Sequence, residues 1–171
     1  MRIYLLAVAP VTVMIMASPS AEQTVGGSPL IDYEGYTTLA AEVAPVRSAR
    51  LVSLGEFNVR AAKPNVLLLD ARSAQAFAEG HIEGAVNLPL PDFTAETLAA
   101  VIGANSEREI LIYCNNNFTN NRRPVATKRV ELALNIQTFI NLYGYGYNNV
   151  YELGEAVDMD APNVRWLSGA A

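Results

Sequence analysis

The chain has 171 residues, 51% apolar and 17% charged, with a net charge of −5. That is enough chain for one domain with a real core, and its composition is that of an ordinary soluble globular protein. The acidic balance supplies no basic face, so neither nucleic acid nor an anionic membrane surface is an expected partner.

The N-terminus stands apart. Met1-Arg2 is a short basic start, residues 3–17 are apolar and uncharged, and Ser18-Pro19-Ser20-Ala21 is a small-residue cleavage site. Residues 1–21 therefore read as a secretory signal peptide. The apolar run contains Pro10 and falls short of the ~20 residues of a spanning helix, so membrane attachment is expected only if the segment stays uncleaved. The expected location is periplasmic or secreted. Residues 22–49 read as a linker with a helical extension: apolar positions at Tyr36, Leu39, Ala40 and Val43 have roughly helical spacing, and Pro45 is expected to end that helix. Residues 50–171 form the main domain.

Within it the pattern becomes regular. Ser53-Leu54-Gly55-Glu56 has capping-box spacing and predicts a short helix ending before Lys63-Pro64. The run 66–69 predicts a strand buried on both faces, ending at Asp70. Ser73 caps a short helix that Gly80 stops. Residues 85–88 predict a short strand closed by Pro89 and Pro91, and residues 94–102 a helix. Residues 110–113 form a second apolar strand, residues 139–143 a helix ended by Gly144 or Gly146, and residues 150–153 the last strand. Unbroken apolar strands alternating with helices predict an α/β domain with a mainly parallel sheet.

In such sheets chemistry gathers beyond the carboxyl ends of the strands. One strand runs into Asp70-Ala71-Arg72, another into Cys114, the one cysteine of the chain. A single cysteine forms no internal disulfide, so Cys114 is a reactive thiol, a buried inert one, or half of an intermolecular bridge. As a nucleophile it needs a lowered pKa. The loop Asn115, Asn116, Asn117 and onward can turn N–H groups inward, and Arg122, Arg123, Lys128 and Arg129 offer positive charge. His81, the one histidine, reads as structural. No metal-ligand spacing and no Gly-rich phosphate loop is present, so no metal and no cofactor is expected.

The string Leu67-Leu68-Leu69-Asp70-Ala71-Arg72, followed by Gly80-His81-Ile82-Glu83-Gly84-Ala85-Val86-Asn87-Leu88-Pro89, resembles the rhodanese-like (sulfurtransferase) domain family, as does the order strand, cysteine, helix, Asn149-Val150-Tyr151-Glu152-Leu153-Gly154. The resemblance implies a rhodanese-like fold, with a central, mostly parallel five-stranded sheet flanked by helices. It implies that catalytic Cys114 takes sulfur from a small donor such as thiosulfate. A cysteine persulfide forms, and the sulfur passes to cyanide, a small thiol or a protein thiol. Arg72, Asn115, Asn116, Asn117, Arg122 and Arg123 form the expected substrate-binding set, with Asp70 and His81 structural beside it. The loop after Cys114 is longer than usual for the family. Seven residues separate Cys114 from Arg122, where related phosphatases have five, so phosphatase chemistry is not expected. The alternative is an inactive rhodanese module that binds a partner or an anion through the Asn/Arg loop.

Overall fold

The structure is a computed structural model that describes residues 27–28 and 30–169. The expected leader lies outside the described residues. The chain divides into two compact units, Met1–Asp32 and Tyr33–Ala171. Of the first, the described part shows a turn in which the Ile31 N–H donates to the Ser28 carbonyl. Among the described residues no helix is long and apolar enough to cross a membrane.

The second unit begins with α1 (Tyr33–Ser48). Pro45 does not end this helix, against the sequence expectation, but lies inside its last turn. Pro45 has no N–H for the Ala41 carbonyl, yet both residues are exposed, where water serves instead, and Pro45 still accepts from the Ala49 N–H. Next come β1 (Leu51–Val52), α2 (Leu54–Ala61), β2 (Leu67–Asp70), α3 (Ala74–Glu79), β3 (Gly80–Ile82) and β4 (Val86–Asn87). Then follow α4 (Ala95–Ile102), β5 (Ile110–Tyr113), α5 (Leu134–Gly144), β6 (Val150–Leu153) and β7 (Trp166–Ser168). Ser53, Ser73 and Thr94 cap α2, α3 and α4 through their side-chain oxygens, as the sequence predicts for the first two.

Five strands form one sheet in the order β1-β6-β5-β2-β4, every pair parallel. β2 and β5 are in register from Leu67 with Ile110 to Asp70 with Tyr113, so the two chemically useful strand ends lie side by side. Alternation sorts the side chains. Leu67, Leu69, Ile110 and Ile112 pack with Val43 of α1, Leu98 of α4 and Phe139 of α5 on one face. Leu68, Leu111 and Tyr113 pack with Phe57 of α2, Phe118 and Val164 on the other. A separate antiparallel pair, β3 with β7, was not foreshadowed. It rests on Gly80, where a Cβ would come within 2.6 Å of Trp166 Nε1. Only glycine lets the indole lie that close.

α5 starts at Leu134, earlier than expected. Asn135 and Thr138 make its first turn look exposed in sequence, yet both are buried. A tertiary partner decides this for Asn135, whose Nδ2 donates to Asn117 Oδ1 at 2.9 Å, while Thr138 satisfies its hydroxyl locally by donating to the Leu134 carbonyl one turn back at 2.9 Å.

Candidate active site around Cys114

Cys114 follows β5 and continues its alternation, so its side chain falls on the α5 face with Ile110 and Ile112. The residue is 1% exposed. Burial pushes the thiol above its ordinary pKa; the backbone N–H groups of Asn135, Asn116 and Leu134 pull it down, and the Glu152 charge pushes it up, with a net raised value. Two of those N–H groups belong to the first turn of α5, an eleven-residue helix whose N-cap, Ala133, offers no side-chain cap. The positive end of its dipole and its free N–H groups therefore face the sulfur.

The asparagines build this arrangement. Asn117 Oδ1 accepts the Cys114 N–H at 2.9 Å, and its Nδ2 donates to the carbonyls of Leu153 at 2.6 Å and Glu155 at 3.2 Å. That ties the Cys114 loop to the end of β6. Asn115 Nδ2 donates to the Ala126 carbonyl, and Asn116 exchanges two bonds with the Lys128 backbone. Asn121 Oδ1 accepts from the N–H and hydroxyl of Thr127. Asn115, Asn116 and Asn121 thus stitch the loop to itself, while Asn117 and Asn120 stitch it to residues 153–159. Asn117 itself is buried.

The cations the sequence offered do not converge on the thiol. Arg122 pairs with Asp160 at 2.5 Å, Arg123 with Glu79 at 3.2 Å and Arg129 with Glu131 at 3.5 Å. Arg72 is 3% exposed. Its Nε donates to both Asp70 oxygens at 3.0 Å; its Nη2 donates to Asp70 Oδ2 at 2.6 Å and to the Gly80 carbonyl at 2.7 Å. Tyr113 adds its hydroxyl to Asp70 Oδ2 at 2.6 Å and in turn accepts the Ile82 N–H. Asp70 and Arg72 therefore brace the strand ends from the face opposite Cys114. His81 stacks on Phe77 at 3.9 Å, and its Nδ1 donates to the Phe77 carbonyl.

Two of the depressions beside the loop share Asn116 in their walls. One, of about 380 Å³, lies between the ends of β2 and β4 and includes Arg72, Pro89 and Lys128. The other, of about 240 Å³, holds Cys114 together with Asn117, Asn135, Glu152 and Glu155. Sequence reading missed both carboxylates. Glu152 is 4% exposed, and its oxygens take Nε and Nη2 of Arg47 at 2.6 and 2.5 Å. Glu155 accepts the Leu54 N–H at 2.8 Å, joining α2's first turn to the end of β6. A charged residue inside the otherwise apolar strand Val150–Leu153 was the one signal available for Glu152.

Several solved structures resemble this fold. The Alr3790 protein of Anabaena sp. is 20% identical, with a TM-score of 0.42, over 60% of this chain and 68% of that one. BH2092 of Bacillus halodurans is 17% identical, with a TM-score of 0.44, over 72% of this chain and 75% of that one. Protein hp1203 of Helicobacter pylori is 19% identical, with a TM-score of 0.44, over 72% of this chain and 93% of that one. No curated protein is significantly similar. Residues 53–157 match the family model described as the Rhodanese-like domain. That span runs from the cap of α2 to just past the end of β6 and takes in Cys114, so the chain belongs to the rhodanese-like domain family.

Proposed function

We propose that this protein is an exported sulfurtransferase that carries sulfur as a persulfide on Cys114 and hands it to a thiol or cyanide. One observation carries the reading: Cys114, at the end of β5, lines one cavity with Asn116 and Asn135, at the start of α5 where no side chain caps the helix, and the backbone N–H groups of Leu134, Asn135 and Asn116 favour its thiolate. They form a ready cradle for a thiolate and for the charge of a bound persulfide. The basic start, apolar run and small-residue site of residues 1–21 support export to the periplasm or beyond. The test is intact-mass measurement of the purified chain after exposure to thiosulfate and to small hydropersulfides. One added sulfur atom on the native chain, absent from Cys114→Ser, is the expected result. No adduct from any sulfane-sulfur donor sinks the reading.

A second reading, a rhodanese module without turnover, draws on the burial of Cys114 and its raised pKa. It predicts that the thiol alkylates only once the chain unfolds.

A further inference from the structure

The cavity beside Cys114 is lined by two carboxylates and, among the described residues, by no Lys or Arg. Arg47 neutralises Glu152 from outside it; Glu155 is exposed and its carboxylate meets only the Leu54 N–H, a neutral donor. A third acceptor stands with them. Asn135 is 2% exposed, and its Oδ1 is a buried side-chain atom without a hydrogen-bond partner. The amide cannot be turned to hide that oxygen. Asn117 Oδ1 already accepts the Cys114 N–H, and Asn117 Nδ2 is spent on the carbonyls of Leu153 and Glu155. Asn135 must therefore present its Nδ2 to Asn117, as it does at 2.9 Å, and leave its own oxygen for something else. An orphaned acceptor at this depth is unfavourable until a donor reaches it.

Resting on the sulfur-transfer reading, we infer that this cavity selects a donor that brings hydrogen-bond donors and positive charge, an aminoalkyl hydropersulfide, over thiosulfate. Thiosulfate is a dianion whose oxygens only accept; it would set its charge against Glu155 and leave Asn135 Oδ1 unpaired. A hydropersulfide R–S–SH offers an S–H to Asn135 Oδ1, and an ammonium on R meets the Glu155 carboxylate. The transfer balances without an oxidant. The Cys114 thiolate attacks the terminal sulfur, a new S–S bond forms to Cys114, and the old S–S bond breaks. R–S⁻ leaves with that electron pair and takes up the proton that the Cys114 thiol released.

The test compares loading of Cys114 on the full chain by 2-aminoethyl hydropersulfide, 2-carboxyethyl hydropersulfide and thiosulfate. Rates are followed by intact mass and divided by those of free cysteine with each donor, which removes intrinsic reactivity. The expected result is loading at least about tenfold faster from the amino donor than from the carboxy donor, with thiosulfate slowest. Glu155→Gln, which keeps an oxygen for the Leu54 N–H, shrinks the amino-to-carboxy ratio toward one. Equal or reversed ratios in the wild-type chain, or thiosulfate loading as fast as the amino donor, overturn the inference and leave sulfur transfer standing. Failure of every donor overturns sulfur transfer itself, and the inference with it.

Discussion

At the residue scale, Cys114 is governed by opposing forces. Burial and Glu152 disfavour the thiolate; the α5 N–H groups favour it, and burial wins. A thiol pKa raised on folding contributes stability that is complete below the unfolded value, about 8.5, and is lost as pH climbs through the folded value. Tyr113 is raised on folding in the same sense, chiefly by burial. The unfolding free energy is therefore expected to fall as pH rises above about 8.5, and Cys114→Ser should flatten that slope. Denaturant unfolding at a series of alkaline pH values measures it; identical slopes in both proteins would refute it. Arg72 and Asp70 are a different case, a buried pair whose every strong contact is internal. Arg72→Met leaves Asp70 uncompensated and should remove about 3–5 kcal/mol in urea unfolding. Gly80→Ala forces a methyl into the Trp166 indole. It should lower stability by about 1–3 kcal/mol, with the change visible in Trp166 fluorescence.

At the element scale, helix α1 does more than cover the sheet. Val43 is buried in the core, and Arg47 reaches over to Glu152 on β6, beside the thiol. Arg47→Met therefore acts at two distances. It should cost about 1–2 kcal/mol of stability, less than a fully buried pair would, because Arg47 keeps contact with solvent. It also leaves Glu152 uncompensated near Cys114, so thiol alkylation of the folded protein should shift to higher pH. A stability loss with no shift in the alkylation profile would show that the pair does not reach the thiol. The capping signals of α2 and α3 were legible because a Ser oxygen and an N–H within three residues need nothing else. The early start of α5 was not, because burial of Asn135 depends on Asn117, eighteen positions away.

At the scale of the whole molecule, the compact unit starts at Tyr33, well before the family match at residue 53. A chain beginning at residue 50 loses the packing of Val43, Leu39, Ala40 and Val46 on the core. It should unfold about 3–6 kcal/mol more easily than one beginning at residue 33, measured by thermal or urea unfolding of the two. The sequence by itself determined the α/β class, the apolar strands, the family resemblance and the place of Cys114 at a strand end. Those rest on local periodicity and on a contiguous string of residues, which sequence displays directly. Only the tertiary structure decided the chemistry around the thiol. It turned the asparagines inward as stitches, tied Arg122 and Arg123 to Asp160 and Glu79, and brought Glu152, Glu155 and Asn135 to the sulfur instead. The physical reason is that charge and hydrogen-bond partners act over a few ångströms of space, and the sheet order β1-β6-β5-β2-β4 sets those neighbours regardless of their spacing along the chain.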